Sequence, residues 1–433
     1  MGIGRVTTTS RRLLGNPSRI ATDPNSPTAT GPTAAERAFE RLCWLGLGRT
    51  GSDRERRAAN AIAAQLEERG RRTAIEPICV HPQWPAIYLL HCLLAIAGSL
   101  LATAAPAVGF VLVLIAAASL YLDLSARWYL LRRLFFRRAS QNLISPPLGE
   151  QPGPTVLLCA HYDVPLTGAA YDRWARRAFA ALSRLWPGPT SPPSVIFWSI
   201  ALLLPALGLR LAGVDADWVA VLQLPQTLIL ITAAFMLGEI GLSSPSPGAN
   251  DNTAGVTAAL LAAERLEADP PAAVTVRLLL CAAGESTREG ARSFIRAHRA
   301  GLHRDQTWLI DIDSPGVGTP RFVSREMPVL SQPLDGNLIG IARTLAEVSD
   351  AAPSELALGP PTAASVAAAY RYPALALTAR EGSEYVPARH HTPADRPDSV
   401  EPGAIDAVAA LAVDIVRLLD REVARRTVPD GAA

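Results

Sequence analysis

Gly248-Ala249-Asn250-Asp251-Asn252-Thr253-Ala254-Gly255 runs straight into a helical pattern over 256–266, and the rest of the chain organises around it. Asp251 stands at the mouth of that helix in a turn built from Gly, Asn and Thr. Backbone N–H groups hold a carboxylate there, and the positive end of the helix dipole keeps it ionised. Such a carboxylate either caps its helix or bridges two cations, and an octapeptide this short does not decide which.

Working outward, strand patterns alternate with helical ones. Residues 155–160 form a short apolar run leading into His161-Tyr162-Asp163, and 73–80, 274–281, 307–312 and 373–379 also read as strands. Helical spacing covers 34–47, 52–70, 288–300, 337–348 and 402–421. This alternation predicts an α/β domain with a mainly parallel central sheet flanked by helices, whose ligands gather at the carboxyl ends of the strands.

The domain is interrupted. Only 18% of the 433 residues are charged, and the mean hydropathy is +0.18, which points to a membrane-embedded part. Residues 85–105 and 107–122 are two apolar runs joined through Pro106, each long enough for a hydrocarbon core of roughly 30 Å. Residues 194–212 and 218–240 form a second pair. Trp84, Tyr121 and Trp128 sit at the ends of the first pair, where aromatic belts form.

The expected organisation is a disordered tail over 1–33, then the α/β domain in three parts, 34–84, 125–193 and 241–433. Transmembrane hairpins occupy 85–124 and 194–240. Two hairpins return the chain to the same side, so the three polar parts build one domain. Arg127, Arg132, Arg133, Arg137 and Arg138 flank the first hairpin in a basic aromatic segment suited to an anionic leaflet. Residues 171–186 read as a basic amphipathic helix. The hairpin tips hold only Arg210 as a basic residue, so the positive-inside rule places the domain on the cytoplasmic side of the plasma membrane. The net charge of +2 and scattered arginines do not imply nucleic acid. The five cysteines include no CxxC pair and suggest neither a disulfide framework nor a thiolate zinc site.

Five candidate ligands fall at strand ends or just beyond: His161, Asp251, Glu285, Asp313 and His391. Imidazole and carboxylate without thiolate suit zinc, with manganese or cobalt as alternatives. One shared carboxylate with two further ligands for each ion makes a co-catalytic pair, which activates water and polarises a carbonyl together.

Four phrases, in order, resemble the co-catalytic zinc aminopeptidase family, which includes bacterial leucyl aminopeptidases, aminopeptidase Y and the glutamate carboxypeptidases. They are Cys159 to Asp163, Gly248 to Val256, Ile310 to Gly316 and His390 to Asp398. The resemblance covers the polar parts and neither hairpin. It implies that His161 and Asp313 hold one zinc ion, that Glu285 and His391 hold the other, and that Asp251 bridges them. Asp163 would orient His161 by accepting its remaining N–H. Peptides or aminoacyl compounds would be the substrates, and the lipid bilayer the other partner.

One departure stands out. The family has two adjacent glutamates, a general base and then a ligand, followed five residues later by a Gly that opens a phrase ending in an aromatic. Anchoring on Gly290 and Phe294 places the ligand at Glu285 and the base at Gly284, which cannot take a proton. Two functions follow. The chain is a membrane-tethered metal-dependent aminopeptidase or related amide hydrolase whose base comes from elsewhere, such as Glu289, Glu381 or Glu384. Otherwise it is a catalytically impaired pseudopeptidase, serving as a metal-binding or partner-binding domain at the membrane.

Overall fold

The computed structural model describes residues 32–148, 153–185, 191–348, 353–382 and 385–427. The tail expected over 1–33 lies outside them apart from Pro32 and Thr33, as does Glu384.

The strands in chain order are β1 (Ala74–Val80), β2 (Arg138–Ser145), β3 (Thr155–His161), β4 (Thr275–Cys281), β5 (Thr307–Ile312), β6 (Thr319–Val323), β7 (Arg325–Glu326), β8 (Gln332–Pro333), β9 (Ser354–Leu356) and β10 (Ala374–Arg380). Eight of them form one mixed sheet in the order β1-β2-β4-β3-β5-β10-β6-β9. Its centre, β4-β3-β5-β10, is parallel, while β1, β2 and β6 join antiparallel to their inner neighbours. The central strands are apolar and buried on both faces, as a helix-covered parallel sheet requires. Strand β1 alternates between half-buried and exposed, as an edge strand does.

Strand β2 carries no apolar alternation to announce it. Its buried polar side chains are satisfied instead: Ser140 donates to Glu55 at 2.8 Å, Gln141 to Asn60 at 2.8 Å and Asn142 to the Gly290 carbonyl at 3.0 Å. Helices α1 (Ala34–Leu45), α2 (Asp53–Glu68), α8 (Gly255–Ala268), α9 (Glu289–His298), α10 (Gly336–Val348), α11 (Ala363–Ala369) and α12 (Pro402–Thr427) flank the sheet. The buried alanines of α8 let it lie close against β3 and β4, with α12 beside it.

Four further helices, α3 (Trp84–Leu101), α4 (Pro106–Leu124), α6 (Pro192–Leu211) and α7 (Asp217–Leu242), are long and apolar enough to cross a membrane. They form two hairpins packed together, α3 on α4 and α7, and α6 on α4 and α7. Their few polar groups pair inside the bundle: Ser99 with Thr227 at 2.8 Å, His91 with Ser119 at 2.9 Å, and Arg210 with Gln223 at 2.5 Å. Helix α5 (Arg173–Leu185) precedes the second hairpin.

The segment after the first hairpin departs from the expected leaflet-facing stretch at two places. Arg138 opens β2, and Arg132 is fully buried, where it donates to both oxygens of Asp123 at 2.8 Å. Arg132 also reaches Ser286 at 3.2 Å. Arg288 donates to the Leu124 carbonyl at 2.9 Å and Arg292 to that of Ala126 at 2.8 Å. The end of the first hairpin is therefore locked to the loop beyond β4. Trp128, Leu134 and Phe136 remain exposed.

Candidate metal centre

Each candidate ligand stands where the fold turns. His161 ends β3, Glu285 lies four residues beyond β4, Asp313 follows β5 directly, and His391 lies on the turn segment after β10, all on the carboxyl side of the parallel strands. Asp251 comes in from the turn before α8.

That turn is held by its own sequence. Gly248 has φ +67° and packs against Val164, so a Cβ there would come within 2.3 Å of a methyl group. Asn252 donates to the carbonyls of His161 and Ile312, each at 3.2 Å, and accepts from the Ser314 amide at 2.9 Å. Asn250 accepts from the Gly316 amide at 2.7 Å. From the far side the Asp395 carboxylate accepts the amides of Asn250 and Asp251 at 2.8 and 3.1 Å. Burial, with Asp251 nearby, raises the Asp395 carboxyl to about 6. The peptide joining Asp251 to Asn252 is cis.

The five side chains converge. His161 Nε2 lies 3.5 Å from Asp251 Oδ1, 3.7 Å from Asp313 Oδ2 and 4.0 Å from Glu285 Oε1. On the other side, His391 Nε2 lies 3.5 Å from Asp251 Oδ2 and 3.2 Å from Glu285 Oε2. Asp251 thus sits between two groups, one containing His161 and Asp313, the other His391 and Glu285.

Charge is frustrated in this cluster. Burial opposes the charge on His161, but the carboxylates of Asp163, Asp251 and Asp313 outweigh it and hold the imidazole well above its usual range. Burial and then Asp251 push Glu285 well up. Burial works against the Asp251 carboxylate too, yet His161 and His390 hold it well below the usual range. Burial lowers His391 to about 4. Divalent cations would relieve this crowding, because ligands bind deprotonated.

The donor set fits them. It contains only imidazole nitrogen and carboxylate oxygen, the chemistry of zinc and related ions. Asp251 Oδ2 is buried and receives no well-formed hydrogen bond. His390 Nδ1 is 2.9 Å away, so it is close enough to interact but poorly aimed. His390 stacks on His391 with centroids 3.8 Å apart, and Tyr171 packs against His391 at 4.4 Å. Neither stood out from the sequence. The adjacent His390-His391 pair was the available signal for the first, and nothing local marks Tyr171.

Three expectations meet the structure differently. His161 Nδ1 is 3.1 Å from the Asp163 backbone carbonyl, and the Asp163 carboxylate is farther away at 3.4 Å. That carboxylate accepts from Thr50 at 2.5 Å and from the amides of Gly284 and Glu285 at 2.7 and 3.2 Å. It therefore positions the loop that carries Glu285 as well as the histidine.

Glu289 does not face the cluster. Thr287 and Arg288 both adopt left-handed backbone, which swings the chain before α9. The Glu289 carboxylate is consumed by the amide of His81 at 2.6 Å and its ring Nδ1 at 2.8 Å, and Arg132 lies 3.9 Å off. Glu381 is exposed and outside the cavity. Gly284 does line the cavity, but an added Cβ would lie 2.4 Å from His161 Cγ.

The cluster floors a cavity of about 760 Å³. Among its described lining residues, Asp311 is the one carboxylate outside the ligand set. Its Oδ2 accepts the Ala363 amide at 2.9 Å and its Oδ1 has no partner. Burial, then Asp313, raises it to about 6.

Residues 234–416 match the model of peptidase family M28, a stretch that includes Asp251, Glu285, Asp313 and His391 and begins after His161. No curated protein matches. Among solved structures, a leucine aminopeptidase precursor from Bacteroides thetaiotaomicron aligns with a TM-score of 0.51 at 12% identity, over 89% of this chain and 98% of that one. A zinc aminopeptidase from Bacillus subtilis aligns at 0.50 and 12%, over 90% and 96%. A glutaminyl cyclase from Tannerella forsythia aligns at 0.50 and 14%, over 88% and 97%. At these identities the likeness shows the fold, and that fold hosts two different chemistries.

Proposed function

We propose that the protein is a membrane-tethered, metal-dependent amide hydrolase of the zinc peptidase type. The observation that carries this is the convergence of His161, Asp251, Glu285, Asp313 and His391, from separate strand ends, on one cavity. His161 and Asp313 would hold one divalent ion, Glu285 and His391 the other, and Asp251 both. A bound pair supplies Lewis acidity toward an amide carbonyl and a water made acidic enough to attack.

The chain's own residues supply the positioning. Asp395 and the two asparagines fix Asp251, while Asp163 fixes Glu285 and His161. Position 284 offers no side chain to accept the proton of the attacking water, and Glu289 is withdrawn into its pairing with His81. Among the described lining residues Asp311 is the carboxylate left in the cavity. Purified protein loaded with zinc is expected to hydrolyse an amide substrate, to stop on chelation and to recover on adding zinc back. Asp311→Asn should lower the rate by about 100-fold to 10,000-fold, the range for a lost base, while metal content stays unchanged. A zinc-loaded protein inert toward every amide would defeat this function.

One observation favours a second reading, in which the domain binds metal and a partner without turnover: the missing glutamate side chain at position 284.

The membrane reading rests on the four apolar helices, and sidedness on the arginines flanking the polar domain. Reporters fused at Pro106 and Asp215 should register the outer face and one at Ala433 the cytoplasm. The opposite pattern would invert the topology.

A further inference from the structure

One wall of the cavity comes from elements that a soluble hydrolase would not need. Trp84 and Tyr88 enter from the first turns of α3, Leu124 from the end of α4, and Pro192 and Pro193 from the start of α6. Both hairpins thus meet the cavity at the ends where they join the polar domain. If these helices cross a bilayer, the cavity sits at the interface. Aromatics flanking these helices agree: Trp128 and Phe136 follow α4, Trp174 lies on α5, and all three are more than half exposed, as interfacial aromatics are.

A second wall is basic. Arg173, Arg176 and Arg177 of α5 line the cavity, and Arg288 joins them from the loop beyond Glu285. The three ligand carboxylates would be matched by two divalent ions, and among the remaining described lining residues four arginines face one carboxylate, Asp311. A substrate with a free ammonium would meet like charge there, and among the described lining residues no carboxylate outside the ligand set except Asp311 would receive it. A carboxylate meets paired guanidinium groups, which bind it through charge-assisted hydrogen bonds.

We propose that the substrate is a long-chain N-acyl amino acid, with its carboxylate on the arginines of α5, its amide over the metal ligands and its acyl chain left in the bilayer beside α3 and α6. This rests on the hydrolase function above and specifies its substrate. The apolar wall fits the acyl side of the amide and the basic wall fits the amino-acid side, so one molecule satisfies both. Water adds to the acyl carbon, the C–N bond breaks, and the nitrogen leaves with a proton. The products are a fatty acid, which stays in the membrane, and a free amino acid, which departs into water. No oxidant or second substrate is needed.

The test uses the full chain, zinc-loaded, in phosphatidylcholine vesicles. Four probes are compared: N-oleoylglycine, its neutral counterpart N-oleoylglycinamide, the short N-acetylglycine, and leucine 4-nitroanilide. N-oleoylglycine is expected to give a kcat/KM about tenfold or more above each of the others, the scale of losing a charge-assisted contact or the apolar anchor. Arg173→Glu combined with Arg177→Glu alters two exposed side chains, and should cut the preference for N-oleoylglycine over N-oleoylglycinamide by about tenfold or more at unchanged zinc content. Cleavage of the nitroanilide without cleavage of N-oleoylglycine overturns the substrate class and leaves the hydrolase standing. An unchanged preference in the double variant overturns the role of α5. If the zinc-loaded protein cleaves none of the four, the substrate class is overturned, and inertness toward every other amide as well overturns the hydrolase function with it.

Discussion

Asp251→Ala is expected to empty the metal centre of both ions at once. Its Oδ1 faces His161 and its Oδ2 faces His391, so one carboxylate serves both sides of the cluster. Glu285 spans the same two histidines with its separate oxygens, but its Oε1 stands farther from His161, at 4.0 Å. Replacing a residue that only orients a ligand costs about 10-fold to 100-fold in metal affinity. Asp163→Asn belongs in that range, and Asp251→Ala should exceed it on both ions. The fold should persist, because Asp395 still receives the backbone amides of the turn. Elemental analysis after dialysis against a graded chelator series reads the outcome directly. Two ions per chain retained by Asp251→Ala would falsify the bridge, and loss of only one would reassign Asp251 to a single ion.

Gly284→Glu is expected to damage the site that sequence comparison suggests it should repair. Read against the family pattern, restoring a carboxylate at position 284 returns the general base. In the structure the first carbon of any side chain at 284 would meet the His161 ring at 2.4 Å, with Nδ1 at 2.8 Å. The ring is fixed from behind by the Asp163 carbonyl, and the 284 amide is fixed by the Asp163 carboxylate. Neither side yields cheaply. Overpacking of this kind costs about 1–3 kcal/mol, which corresponds to roughly 5-fold to 150-fold if it falls on the affinity of the ion held by His161. Gly284→Ala should show the same loss, since the clash begins at Cβ. The measurement is zinc affinity and amide hydrolysis for both variants. A Gly284→Glu protein that holds its zinc and turns over faster than wild type would show that the loop accommodates the side chain and that the missing base limits the rate.

Much of the architecture is legible in the sequence. The central strands announced themselves because burial on both faces demands continuous apolar runs, and the four membrane-length helices because charge is nearly absent from them. Strand β2 was hidden for the opposite reason. Ser140, Gln141 and Asn142 are buried, and their partners, Glu55, Asn60 and Gly290, are 81 or more residues away in sequence. Tertiary hydrogen bonds decide that strand, and no local pattern encodes them. Strands β6 and β9 escaped because they are short.

The ligand residues were legible one by one, since strand-end His, Asp and Glu are conspicuous, and their grouping about Asp251 came from the family resemblance, because no local pattern encodes which of them meet. Glu289 shows the limit most clearly. Four residues beyond Glu285 on a continuous helix would place the two on one face. The left-handed backbone at Thr287 and Arg288 breaks that register and sends Glu289 to His81. Arg132 misled in the same way: an arginine beside a membrane span reads as a lipid contact until Asp123 appears opposite it.

The clamp that joins Asp123, Arg132, Ser286, Arg288 and Leu124 bears on how the molecule can be handled. Cutting out the first hairpin to obtain a soluble fragment would remove Asp123 and Leu124 together. Arg132 would then lose the carboxylate it pairs with through two hydrogen bonds and keep only Glu289, 3.9 Å off, as a charged neighbour in the interior beside the loop that carries Glu285. The chamber would also lose the wall made by Trp84, Tyr88 and Leu124. The hairpin is thus structural to the ligand cluster, and the smallest unit that preserves its geometry includes the first apolar hairpin.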